Sequence, residues 1–271
     1  MEKPTRSPSA LSIYRPGLFS GKVAIVTGGG TGIGKSIAYE LAFLGCTVVI
    51  ASRNFERLKA AADKIQADMK AANPESLGSV YPIACNIRSE EEVSNLVDET
   101  LERFKRVDFL VNNAGGQFRS LLEDVSPNGW KAVMDTNLNG TFLMIQKGNP
   151  CLAHSAAARA GVESLSKSLS VEWASSGITL NCVAPGIILS SGVENYPSGA
   201  EMFVYAAEKA TVAKRMGSVE EVSASVLYYL SPAGAYVTGD TMHVDGGWHL
   251  MGPLLDVPDH ENNRPYGTCK L

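Results

Sequence analysis

Thr27, Gly28, Gly30, Thr31, Gly32, Ile33 and Gly34 fall in the stretch Gly21 to Gly34, GKVAIVTGGGTGIG, whose chemistry is the close approach of a backbone to a phosphate. With little side chain in the turn, its amides and those opening the next helix can face a pyrophosphate. Gly34 lets that helix pack closely on the strand before it. The spacing does not fit G-x-G-x-x-G, because Thr31 and Ile33 interrupt both registers. It fits T-G-x-x-x-G-x-G, filled by Thr27, Gly28, Gly32 and Gly34. A second chemical signal is Ser52 followed by Arg53, at the end of the next apolar run. A carboxylate there would bond the ribose 2'-hydroxyl of NAD and repel the 2'-phosphate of NADP. None is present, and a guanidinium matches a phosphate through paired charge-assisted hydrogen bonds, so NADPH is the expected cofactor.

These residues need a parallel strand in front of the glycines and helices on both sides. Val23 to Val26 is a short apolar run of the kind a strand covered on both faces requires. A helix from about Ile33 to Leu44 places Ile37, Ala38 and Leu41 on one face, and Gly45 ends it. A strand over Thr47 to Ala51 follows, then a long helix from Phe55 to Ala72 with Leu58, Ala61, Ala62, Ile65 and Met69 on one face. Val80 to Ile87 reads as a strand, and Ser89 to Glu92 as a capping box opening a helix that carries Val93, Leu96, Val97, Leu101 and Phe104. Asp108 to Val111 is the fourth strand, running into Asn112-Asn113-Ala114-Gly115, and the C-terminal strand edge is where ligand lies in an open parallel sheet. Ser126-Pro127 opens a helix expected to run to about Gln146, with Asn137 inside it. A helix over 153–175, a strand over Ile178 to Val183, a lid-like stretch 187–214, a helix from the capping box Ser218 to Glu221 and a strand over Thr241 to Val244 complete the pattern. The fold expected is α/β, a Rossmann-like doubly wound parallel sheet in one domain (21–250), with an N-terminal arm (1–20) and a tail (251–271).

Composition narrows the function. The chain has 271 residues, 45% hydrophobic and 19% charged, as in a soluble globular domain, and its net charge of -4 gives no footprint for nucleic acid. No apolar run approaches membrane-spanning length, and the first twenty residues lack the apolar core of a secretory signal. Five cysteines without a C-x-x-C pair, and four scattered histidines, point to neither disulfides nor a metal.

The T-G-x-x-x-G-x-G loop, Asn112-Asn113-Ala114-Gly115, Asn137, Pro185-Gly186 and Val244-Asp245-Gly246-Gly247 together resemble the short-chain dehydrogenase/reductase family over residues 21 to 247. Val48 to Lys59, Cys85 to Ile87 with Glu90 to Leu96, Asn112 to Phe118, Val193 to Tyr196 and Val257 to His260 look more specifically like its peroxisomal trans-2-enoyl-CoA reductases. The resemblance implies NADPH-dependent reduction of the 2,3 double bond of a fatty enoyl-CoA, with the neighbouring 2,4-dienoyl-CoA reductases as the alternative. It also implies a homotetramer built on the helices near 126–146 and 155–175. By the same resemblance Asn86 and Ile87 approach the adenine, Asn86 standing where the family has an acid. Asn113, Ala114 and Gly115 line the cofactor site, Pro185-Gly186 meets the nicotinamide, and Asn137 holds a water in a proton relay. The family's Tyr-x-x-x-Lys is absent in both registers. One reads Ser155 and Arg159, of which Ser155 can donate to an oxyanion and Arg159 can bond ribose hydroxyls without giving up a proton. The other reads Glu163 and Lys167, by default a solvated i,i+4 ion pair.

Two features bear on fate and competence. Cys269-Lys270-Leu271 resembles the S-K-L address, which implies a peroxisomal import receptor as partner and the peroxisome as location. Between the helix ending near Gln146 and that beginning near Ala153 lie only Lys147 to Leu152. A parallel strand of about five residues plus two loops of about two to six does not fit there, so a central strand is expected to be missing near 147–152. A catalytically impaired or silent dinucleotide-binding variant is therefore a third expectation.

Overall fold

The computed structural model describes residues 13–72, 74–76, 78–116, 126–141, 143–144, 156–190 and 199–251. Strand β1 (Val23–Thr27) is buried at every position, as its unbroken apolar run requires. It pairs in parallel with β2 (Thr47–Ser52) on one side and β4 (Phe109–Asn112) on the other, and β3 (Ser79–Ala84) adds to β2, giving the order β3-β2-β1-β4. In this register Ile25 lies between Val49 and Leu110.

Alternate residues of the strands feed two cores, which makes the sheet doubly wound. Ala24, Val26, Val48 and Ile50 face α1 (Gly32–Phe43) and α2 (Phe55–Ala72), meeting Ile37, Leu41, Leu58, Ile65 and Met69. Ile25, Val49, Ala51 and Ile83 face α3 (Glu90–Phe104), meeting Val93, Leu96 and Val97. Each fully buried aliphatic side chain contributes roughly 1.5–3 kcal/mol, so this two-sided filling fixes the strand ends that present the glycine turn.

Local signals set most of the boundaries. Ser89 accepts from the Glu92 N–H at 3.3 Å, but the Glu92 carboxylate accepts from the Asn86 N–H at 2.8 Å instead of returning to Ser89. The reciprocal box expected there is thus only half formed, and its second arm ties down the β3–α3 loop. Strand β3 correspondingly stops at Ala84, leaving Asn86 and Ile87 in that loop. Ser126 caps α4 (Pro127–Met134) by accepting from the Gly129 N–H at 3.0 Å. The helix expected to continue evenly to Gln146 instead widens into a π-helical segment over Asp135–Asn139. There Thr136 Oγ1 donates to Ala132 O at 2.8 Å and Asn137 Nδ2 to Val133 O at 2.7 Å, so two side chains take carbonyls that a regular helix gives to its amides.

Beyond α5 (Ala156–Glu172), β5 spans Cys182–Pro185, starting four residues later than expected. Before it, the Leu180 N–H donates to Thr238 Oγ1 and Asn181 Nδ2 to Val237 O, so side chains stand in for ladder bonds until Cys182 meets Thr241. Then come β6 (Ile188–Leu189), α6 (Gly199–Ala210), β7 (Gly217–Ser218), α7 (Val219–Leu230) and β8 (Thr241–Val244). The short pair β6–β7 was not expected. Ser218 and Glu221 form the full reciprocal capping box of α7.

Among the described residues β5 and β8 form their own parallel pair, and no strand joins β4 to β5. The 147–152 connection itself lies outside the described residues.

Candidate functional site

The glycine turn is held from behind by the start of the Asn112-Asn113-Ala114-Gly115 segment. Thr27 Oγ1 donates to Val111 O at 3.4 Å and accepts from the Ala114 N–H at 3.0 Å. Asn113 Nδ2 donates to Thr27 O at 3.0 Å and Gly28 O at 3.4 Å. Gly28 and Gly32 adopt positive φ of 67° and 53°, which a side chain would strain. A Cβ at Gly34 would stand 2.5 Å from Gly28 O and closer still to Asn113 Nδ2, so only glycine lets α1 start this near the turn.

A cleft of about 460 Å³ opens in front of this turn. Gly28, Gly30, Thr31, Gly32 and Ile33 form its floor, with Ser52 and Arg53 at the end of β2. Asn86 and Ile87 form another wall, and Asn113, Ala114 and Gly115 close the β4 side. Thr27 and Gly34 do not line the cleft; they brace its floor. Pro185 and Gly186 do not line it either. Gly186 donates to Val244 O at 3.1 Å, and a Cβ there would strike Asp245 Cα at 2.6 Å, so this turn is pressed against the end of β8. Ser190, a few residues on, is the residue of that segment that reaches the cleft.

Asn54, Arg57, Arg88 and Thr136 also line the cleft, and the sequence reading missed them. For Arg57 a signal was available: Asn54 is an N-cap residue whose Oδ1 accepts from the Arg57 N–H at 2.9 Å, turning the first turn of α2 toward the glycines. Arg88 ion-pairs with Asp135 at 3.6 Å, while Asp135 also accepts from Lys131 and, at 3.0 Å, from Asn139. That partnership crosses from the β3–α3 loop to the π-helical segment after α4 and left no mark in either local sequence. Lys131 first, then Asn139 and Arg88, hold the Asp135 carboxyl below the usual carboxylate range. Cys85 lines the cleft as well, but burial, with Glu92 adding to it, pushes its thiol up to about 12, so it is not a nucleophile.

Asn137 is fully buried. Its Nδ2 donates to Gly116 O at 2.9 Å and Val133 O at 2.7 Å, and its Oδ1 accepts from the Gly116 N–H at 2.9 Å. The π segment thereby grips the end of the Asn112–Gly115 stretch. Of the other expected catalytic residues, Ser155 lies outside the described residues and Arg159 sits in the first turn of α5. Lys167 Nζ meets Glu163 Oε1 at 2.8 Å with both side chains about half exposed, the ordinary helix pair. The Lys167 ammonium holds the Glu163 carboxyl below its usual value, so Glu163 is ionised and not a proton donor near neutral pH. Asn112, at the end of β4, is buried with neither end of its amide partnered among the described residues. No cluster of His, Cys, Asp and Glu able to hold a metal occurs among them, and no described helix is long and apolar enough to cross a membrane.

A four-stranded parallel sheet wound on both faces, with a glycine turn braced by Thr27 and Asn113 at its carboxyl edge, defines a dinucleotide-binding class of fold. The sequence pattern described as short chain dehydrogenase matches residues 22–157, and that described as enoyl-(acyl carrier protein) reductase matches 147–249. A peroxisomal 2,4-dienoyl-CoA reductase of Danio rerio is 36% identical over 260 residues, spanning 87% of this chain and 84% of its own. A 3-oxoacyl-[acyl-carrier-protein] reductase of Synechocystis is 37% identical over 250 residues, spanning 83% of this chain and 96% of its own. The solved citronellol catabolism dehydrogenase of Pseudomonas aeruginosa is 38% identical with a TM-score of 0.72, covering 87% of this chain and 98% of its own. The chain belongs to the short-chain dehydrogenase/reductase family and is an oxidoreductase of the kind found in fatty acid metabolism. The 260 positions of the Danio rerio alignment exceed the 87% of this 271-residue chain that they use, so that relative carries residues without counterpart here.

Proposed function

We propose that the chain reduces the 2,3 double bond of trans-2-enoyl-CoA with NADPH. The observation that carries the cofactor half of this reading is Arg53 beside Ser52 at the rim of the cleft, with no carboxylate at the end of β2. The residues present fit such a group: the turn holds positive-φ glycines beside the start of α1, and two guanidiniums, Arg53 and Arg57, border the cleft. When bound, NADPH supplies the hydride that reduces the acyl β-carbon. The amides from Gly28 to Gly32 hold the pyrophosphate and Arg53 reads the 2'-phosphate. Asn86 and Ile87 flank the adenine. Asn137 acts as a positioning residue that fixes Gly116 and so the floor beside Gly115. Ser155 donates to the thioester oxygen as it gains charge, and Arg159 bonds the ribose hydroxyls. The substrate assignment rests on the resembling stretches, of which Val48 to Lys59 and Cys85 to Ile87 run along the cleft. We further propose a homotetramer built on α4 and α5, and a peroxisomal location addressed by Cys269-Lys270-Leu271.

Reduction of a 2,4-dienoyl-CoA is the second reading, favoured by the names of the relatives from Danio rerio and Saccharomyces cerevisiae. A slow or silent variant is the third. It is favoured by the Glu163–Lys167 pair, which puts no phenol in that register. Incubation with NADPH and each thioester, with mass analysis of the products, separates the three. The saturated acyl-CoA from the enoyl substrate is expected. Reduction of the dienoyl substrate alone supports the second reading, and neither product the third.

A further inference from the structure

We propose that Asp135 is a positioning residue that couples occupancy of the adenine end of the cleft to the Asn137 grip on Gly116, an inference that rests on the NADPH reading above. Two contacts join the β3–α3 loop to the helix that carries Asn137. Gly140 is buried just after the π segment, and a Cβ on it would stand 2.9 Å from Ile87 Cδ1 and 3.0 Å from Ile87 O, so glycine lets the helix come this close to the loop. The other contact is the Arg88–Asp135 ion pair, and Ile87 and Arg88 both line the cleft. The wall that flanks the adenine therefore rests directly on the element whose Asn137 amide holds both the N–H and the carbonyl of Gly116.

Asp135 stands at the junction. Its carboxylate accepts from Lys131 one turn earlier and, at 3.0 Å, from Asn139 Nδ2 one turn later, so it staples the widened turn on both sides while Arg88 holds it to the loop. The Asp135 side chain is 15% exposed and that of Arg88 39%, which gives the pair an inner anchor and an outer arm that a nucleotide meets first. A π turn carries one residue more than an α turn. Tightening of Asp135–Asn139 to a regular helix would rotate one side of the segment against the other by about 100° and break the Asn137 grip. The segment thus has two arrangements, and a nucleotide that braces Ile87 and Arg88 favours the one in which Gly116 is held.

The test uses the full chain and does not depend on turnover. Adenosine 2',5'-bisphosphate carries the adenine, the ribose and its phosphates but no nicotinamide, so its occupancy is confined to the adenine end. The Gly116 N–H donates to Asn137 Oδ1, so hydrogen exchange at that amide reads the grip. Exchange is followed with and without saturating bisphosphate in wild type, Asp135→Asn, Asp135→Glu and Arg88→Gln, the last of which leaves the Lys131 and Asn139 bonds in place. In wild type the bisphosphate is expected to slow exchange at Gly116 at least about fivefold, the lower end of ordinary site-to-site coupling. Asp135→Asn and Arg88→Gln bring that ratio close to one while still binding the bisphosphate, and Asp135→Glu keeps part of it. A merely structural role would speed exchange equally in both states and leave the ratio as in wild type; that result, or a wild type whose Gly116 does not respond, overturns the inference alone. If wild type binds neither the bisphosphate nor NADPH, the cofactor reading falls and the inference with it.

Discussion

Replacing Gly34 by alanine sets a helix preference against a steric limit, and the structure gives both magnitudes. Alanine is favoured over glycine inside a helix by about 1 kcal/mol, so on propensity alone the change stabilises α1. The new Cβ, however, would lie 2.5 Å from Gly28 O and closer to Asn113 Nδ2. The Asn113 amide can swing away only by giving up its bonds to Thr27 O and Gly28 O, a loss of about 1 kcal/mol. The Gly28 carbonyl belongs to the backbone, and moving it displaces the whole turn, an overpacking cost of typically 1–3 kcal/mol. The clash wins by about 1–3 kcal/mol, the sum of these terms against the propensity gain. Urea denaturation should show a lower midpoint with an unchanged slope. Nucleotide titration should show NADPH affinity reduced at least about tenfold, because the amides of the turn no longer converge. An equal or higher midpoint with unchanged NADPH affinity would refute the reasoning, for it would mean that α1 does not need to start this close to Gly28.

Arg53→Ala should weaken NADPH much more than NADH in equilibrium titration, and equal losses would remove the 2'-phosphate argument. Burial works to raise the Asp108 carboxyl, but Arg106, the Val23 N–H and Lys22 together hold it below its usual value while it clamps the start of β4 to β1. A carboxyl held low stabilises the fold above its unfolded value of about 3.9 and loses that contribution as pH falls through its folded value, so Asp108→Asn should flatten the acid limb of stability against pH; an acid limb identical to wild type contradicts this. A fluorescent reporter ending in the tail from Asn262 should collect in peroxisomes and lose that location when Cys269-Lys270-Leu271 is deleted; a reporter indifferent to the deletion argues against the address.

What the sequence made legible was governed by local physics. Helix α2 lies at Phe55–Ala72 as expected and buries the very residues named for its inner face, because five apolar positions at helical spacing leave one way to face a sheet. The caps at Ser126 and Ser218 needed only their own next turn. The Ser89 box was misread because the Glu92 carboxylate had a competing donor, the Asn86 N–H, that a three-residue motif does not contain. The π segment was illegible for a similar reason: Asn137, whose side chain takes the Val133 carbonyl there, is also bonded to Gly116, a residue distant in sequence. The floor of the cleft could be read because glycine spacing encodes it. Its rim was legible only in part: Ser52 and Arg53 follow an apolar run, whereas Arg88 and Ser190 reach the cleft through tertiary packing. The turn at Pro185 and Gly186 lies pressed on Asp245, a contact that local sequence does not encode.

The central claim is that this chain moves a hydride from NADPH to the β-carbon of a trans-2-enoyl-CoA. The most direct measurement is isotope transfer: the purified chain, NADPH deuterated at its transferable hydrogen, a trans-2-enoyl-CoA in ordinary water, and mass analysis of the acyl product by position. The account predicts a saturated acyl-CoA with deuterium at the β-carbon and a solvent hydrogen at the α-carbon. Recovery of unlabelled substrate, or label at any other carbon, would contradict it.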